Sequence, residues 1–155
     1  MRLSVQEAAF DLGQEANRFA NDIKGAGAIV TFTGVVRDNG GQLTAMEIEH
    51  YPGMTEQAIS GIMAEAVARW DLADALVIHR YGVLAAGEPI MMVATAAPHR
   101  GDAFAAAEFL MDYLKSRAPF WKKEITATQS NWVAARAEDE DALAAWSTAD
   151  RQPKA

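Results

Sequence analysis

Apolar positions along the chain recur with two periods, and the changes between them mark the elements. Leu12, Ala16, Phe19, Ala20 and Ile23 follow at helical spacing. Ser4-Val5-Gln6-Glu7 ahead of them has the form of a capping box, which starts that helix at Ser4, and Gly25 and Gly27 stop it. Ala28 to Val36 is apolar and β-branched and predicts a buried strand, closed by the turn Asp38-Asn39-Gly40-Gly41. Leu43 to Tyr51 alternates, with Met46, Ile48 and His50 on one face and Glu47, Glu49 and Tyr51 on the other. From Thr55 to about Trp70 the helical stripe returns through Ala58, Ile59, Ile62, Met63, Ala66 and Val67. Ala75–Tyr81 and Ile90–Ala97 read as strands, and Asp102–Arg117 as a third helix that Pro119 prevents from continuing. Phe120–Thr128 and Trp132–Ala135 are extended, Asp139–Trp146 predicts a short tail helix, and 147–155 predicts a frayed, disordered tail.

The order lacks the strict strand–helix alternation of a doubly wound fold. It predicts one α+β domain over residues 1–146, with about three helices and a mixed, largely antiparallel sheet. Length adds to this: 155 residues make one domain with a core of its own. The absence of cysteine excludes disulfides, thiolate metal sites and cysteine nucleophiles, and fits a cytoplasmic protein. No apolar run is long enough to span a bilayer, and no secretory signal pattern opens the chain.

Charge narrows the function classes. The net charge is −7, which argues against nucleic acid as a partner. Yet His79–Lys123 holds six basic and four acidic residues, so this window is +2 and the remainder −9. A local cationic region on an acidic chain points to a small anionic ligand or an acidic tail.

The three histidines have no metal-ligand spacing, so no metal site is expected. His79 and His50 lie within apolar strands and read as structural. His99 and Arg100 stand between a strand end and a helix start, where backbone N–H groups favour anions; the pair is either a phosphate or carboxylate clamp or a solvated loop. Arg37 ends a strand beside a flexible loop, a position that by itself indicates solvent exposure. The densest feature is Leu114-Lys115-Ser116-Arg117-Ala118-Pro119-Phe120-Trp121-Lys122-Lys123-Glu124. Lys115 in a last helical turn suits the helix dipole. Lys122 and Lys123, adjacent on a strand, point to opposite faces, so only one shares a site with Lys115. A lysine against Pro119, Phe120 and Trp121 loses solvation, as a base or nucleophile requires; three lysines also suit a solvated face. No dinucleotide fingerprint, P-loop or serine elbow is present.

These blocks, taken in order, resemble a known family. Gly27–Arg37, Glu47–Tyr51, His79–Gly82, Pro98–Arg100, Met111–Glu124 and Trp132-Val133 strongly resemble the large, catalytic subunit of molybdopterin synthase, over roughly residues 4–146. One departure is Ser130-Asn131, where the family often has a glycine before Trp-Val. The resemblance implies an α/β hammerhead fold and sulfur transfer in molybdenum cofactor synthesis. Two dithiolene sulfurs enter a cyclic pyranopterin monophosphate, donated by the C-terminal thiocarboxylate of a small ubiquitin-like subunit. It also implies a homodimer of large subunits within a heterotetramer, and no cofactor. Lys115 and Lys122 match the family's catalytic lysines; Arg37, His99 and Arg100 match its substrate-binding residues. The rival reading is a non-catalytic binding module for a phosphorylated metabolite or an acidic peptide tail.

Overall fold

The computed structural model describes residues 1–134 and 136–147; the expected tail therefore falls, from residue 148 on, outside the described residues. Twelve elements occur in order: β1 (Arg2–Gln6), α1 (Leu12–Asn21), β2 (Ala28–Val35), β3 (Leu43–His50), α2 (Met54–Trp70), β4 (Asp74–Arg80), β5 (Gly82–Ala85), β6 (Pro89–Ala97), α3 (Arg100–Ser116), β7 (Phe120–Thr126), β8 (Ser130–Trp132) and α4 (Ala137–Ala144). The α+β class holds. The strands form two four-stranded sheets, ordered β1-β4-β6-β2 and β5-β3-β7-β8. Among the described residues only β1–β4 is parallel. The fourth helix is the tail helix expected at 139–146, begun two residues earlier.

The first sheet is covered on both faces, which is why β4 and β6 read as continuous apolar runs. Leu76 and Ile78 of β4 and Met92, Ala94 and Ala96 of β6 meet Phe19 of α1. Ala75, Val77 and Val93 face the main core with Ile59, Met63 and Ala66 of α2 and Ala103, Ala106 and Leu110 of α3. Alternation along β4 then puts His79 on the same side as Val77. The second sheet is one-sided: Ile48 and Leu84 are buried, whereas Val83, Trp121 and Trp132 are exposed.

Residues 2–6 correct the sequence reading of the N-terminus. Ser4 caps no helix; it pairs with Ile78 in β1, and its hydroxyl donates to Gln6 Oε1 at 2.6 Å. The cap of α1 is Asp11, whose Oδ1 accepts from the Gln14 amide at 2.8 Å. Pairing with a central strand overrode the local signature. β5, unforeseen, begins at Gly82, whose φ of +88° lies where the chain passes from the first sheet to the second.

Two close contacts fix the ends of α3. Ala28 pairs with Ala97 where β2 and β6 meet, and a Cβ on Gly27 would stand 2.4 Å from the carbonyl oxygen of Pro98. At the other end of α3, the Thr55 hydroxyl donates to the Pro119 carbonyl at 3.1 Å, holding the reversal into β7 against the start of α2. Gly27→Ala is therefore expected to lose about 1–3 kcal/mol, because backbone must move. Gly61→Ala, in α2 with open space around it, gains up to about 1 kcal/mol. Urea unfolding of both variants checks the pair; equal effects would contradict it.

Candidate active site

Side chains from either side of the reversal meet others from far earlier and later in the chain. Lys115 is in the last turn of α3. Lys122 is on β7 opposite Ile48, which is buried, and so faces inward. Arg37 lies just after β2. Together with Arg136, which precedes α4, these four cations line two adjoining cavities of about 250 and 530 Å³. The smaller is closed by Val133, Ala134 and Asp139 of the C-terminal segment. The larger runs past Met46, Met91 and Met111 to Phe32, Thr33 and Gly34 of β2, with His79 in its lining. A roomier recess of about 890 Å³ flanks α1, but it is open and polar, with Arg18 and Asp22 both in its lining, an ordinary solvated helix flank.

Lys122 is held below the ordinary lysine value of 10.5, first by burial and then by the like charge of Lys115; Asp139 opposes the shift. A fraction of neutral amine is thus present nearer neutral pH than for a solvated lysine. Lys123 points the other way, as alternation requires. Its Nζ lies 3.8 Å from Glu47 Oε2 and 4.7 Å from the centre of the Trp132 ring, on the outer face.

The wall that carries Arg136 and Asp139 is anchored on both sides of α4. Glu140 accepts from the Ser116 hydroxyl and from Arg117, which lowers its carboxyl pKa, the serine bond being the larger cause. Trp146 is buried edge-on against Trp70 and Phe109, and its indole N–H donates to Asp112 Oδ2 at 2.7 Å.

His99 and Arg100 lie elsewhere. They are exposed at the N-terminus of α3, whose 17 residues span about 25 Å, while Lys115 is at its far end. Within one chain the structure joins Arg37, Lys115 and Lys122 and leaves the His-Arg pair outside. Arg136 and Asp139 were missed by the sequence reading. Nothing local marks them: both fall in an acidic stretch outside the basic window.

A pocket lined by Arg37, Lys115 and Arg136 beside the partly desolvated amine of Lys122 suits two anionic partners meeting in one place. Comparison with known proteins agrees with the family that the residue blocks resemble. The sequence profile of the MoaE protein family matches residues 5–117. The molybdopterin synthase catalytic subunit of Cereibacter sphaeroides is 68% identical over 146 residues, 94% of this chain and 100% of that protein. The solved molybdopterin biosynthesis MoaE protein of Burkholderia ambifaria superposes with a TM-score of 0.79 at 50% identity, covering 94% of this chain and 97% of that one. Molybdopterin synthase from Staphylococcus aureus gives 0.77 at 30% identity, over 86% and 98%. The chain belongs to the MoaE family, the catalytic subunits of molybdopterin synthase.

Proposed function

We propose that the twin cavity is where sulfur passes from the thiocarboxylated C-terminus of a small ubiquitin-like subunit to a cyclic pyranopterin monophosphate. The observation that carries this is the convergence of Lys115 and Lys122 on one cavity lined also by Arg37 and Arg136. Donor and acceptor are both anionic, and bringing them together in water is opposed by their charge. Cations gathered at one cavity, with Lys122 the most buried of them, offset that repulsion. Lys122, whose burial favours its neutral form relative to a solvated lysine, moves the proton, and Lys115 and Arg37 supply positive charge. An extended Gly-Gly tail fits a narrow cavity walled by Phe120 and the strand ends.

The substrate-binding role of His99 and Arg100 fits this site only if a second copy supplies them. The edge strand β2 carries exposed Ile29, Phe32 and Val35, and Phe104 is exposed one turn beyond Arg100. These apolar groups suit a homodimer in which each α3 start approaches the partner's cavity, where the pair would hold the substrate phosphate. Val35 and Phe32 adjoin the same cavity lining, so the pairing surface and the site are continuous.

Single-turnover sulfur transfer at saturating small subunit tests the lysines. Lys115→Ala and Lys122→Ala are each expected to lose about 10²–10⁴ in rate, and Lys123→Ala to be mild. The rate rises with pH through a midpoint below 10.5, since the neutral form of Lys122 is required. Loss in Lys123→Ala with Lys122→Ala near normal would refute the assignment.

Mixing tests the shared site. Lys122→Ala and Arg100→Ala chains are each inactive alone; mixed and re-equilibrated dimers regain about a quarter of wild-type activity, because half of them hold one intact site. No recovery would place both residues in the same protomer's site.

A further inference from the structure

His79 was expected to be structural, and half of the ring is. Its Nδ1 lies 2.8 Å from the Arg80 carbonyl oxygen, an atom that can only accept, so Nδ1 carries the proton. One ring face stacks on Phe120 at 3.7 Å and 14°. The other nitrogen, Nε2, is then an unprotonated acceptor. No described residue bonds it, yet it is not sealed off: the sealed, unpartnered side-chain nitrogens among the described residues are His50 Nδ1 and Trp70 Nε1. His79 is 2% exposed, and the open space it lines is the larger cavity, shared with Lys122. Phe120 and Lys122 are two apart on β7 and face the same way, so the ring stacked on Phe120 and the Lys122 side chain lie on one face of the strand and line one cavity.

We propose that His79 is a positioning residue for Lys122: its neutral Nε2 accepts an N–H from Nζ and aims the amine into the cavity. This rests on Lys122 being the amine that moves the proton during sulfur transfer. The charged and titratable groups that face Lys122 are Lys115 from α3, Arg37 after β2, Arg136 and Asp139 at α4, and His79 from β4. Arg37, Lys115 and Arg136 are donors only, so acceptors for the amine come from Asp139 at α4 and from His79 at the opposite end. Burial holds the imidazole far below its usual range, at about 3, so it stays neutral and an acceptor wherever the lysine titrates. A protonated imidazole here would repel Lys122 and serve no such role.

Two substitutions separate the ring's functions. The amide of His79→Asn reproduces Nδ1 and keeps a donor to the Arg80 carbonyl while deleting the cavity acceptor. The longer His79→Gln reproduces Nε2 and keeps the acceptor while giving up that backbone bond. Lys122 is titrated in the whole chain by trace acetylation with acetic anhydride, followed by mass spectrometry. His79→Asn is expected to move its midpoint down by about one to two pH units, because an acceptor favours the ammonium form. It is also expected to lower the high-pH plateau of kcat for sulfur transfer, where Lys122 is neutral in both forms, by about tenfold or more with KM unchanged. His79→Gln restores both. The reverse order, with Asn near normal and Gln impaired, would show a purely structural histidine and overturn the proposal, as would an unmoved Lys122 midpoint in both variants. Imidazole ¹⁵N shifts of the wild-type chain give an arm that needs no variant: a protonated Nε2 at neutral pH overturns the proposal outright. If the Lys122 midpoint moves but sulfur transfer does not, His79 positions the lysine and the role proposed for Lys122 is what fails.

Discussion

The stacking of Phe120 on His79 is the contact through which the two sheets agree on one geometry. His79 belongs to the middle of the first sheet and Phe120 to the second, and the link between them in the chain passes through the whole of α3. The reversal at Ala118–Pro119 leaves β7 two possible registers, differing by which lysine turns inward. Placing Phe120 on the imidazole selects one, and the consequence two residues later is that Lys122 enters the cavity and Lys123 meets Glu47 outside. The Thr55 bond to the Pro119 carbonyl secures the same choice from the side of α2. A slip of one residue would exchange a partly desolvated amine for a solvated ion pair.

Electrostatics within the site runs against that of the protein. The chain is acidic overall, yet four cations are gathered at the cavity, and the carboxylate that answers Lys122 is that of Asp139. Such a concentration of like charge is destabilising for an empty cavity and favourable for one that receives anions. The acidic remainder of the surface keeps the molecule from attracting polyanions to the same place.

Much of this was legible in the amino-acid sequence. Continuous apolar runs marked β4 and β6, because both faces of the first sheet are covered; alternation marked β3, because one face of the second is not. The opposite orientation of Lys122 and Lys123 came from the pleat alone. Other features were not legible for identifiable reasons. Ser4–Glu7 carries a helix-start signature that is real at short range and loses to a parallel pairing with residues more than 70 positions away. Arg136 reaches the cavity through a turn and a tail whose course depends on Trp146 finding its aromatic cage, and no local pattern records that. His99 and Arg100 announced themselves as an anion site, but their distance from Lys115 depends on α3 being one uninterrupted helix. His79 was read as structural, and it is buried; that a buried ring leaves one nitrogen open to a cavity is not a property of the strand it sits on.

The anchoring of α4 has a consequence for the order in which the molecule becomes competent. Both sheets and the three longer helices are complete once residue 132 has formed, whereas the wall carrying Arg136 and Asp139 is added only when Glu140 reaches Arg117 and Trp146 closes on Trp70. During synthesis the N-terminal part precedes the C-terminal part. A growing chain therefore passes through a stage with a formed core and an open trough where the cavity will be, and the cavity gains its last wall only when the final helix has docked.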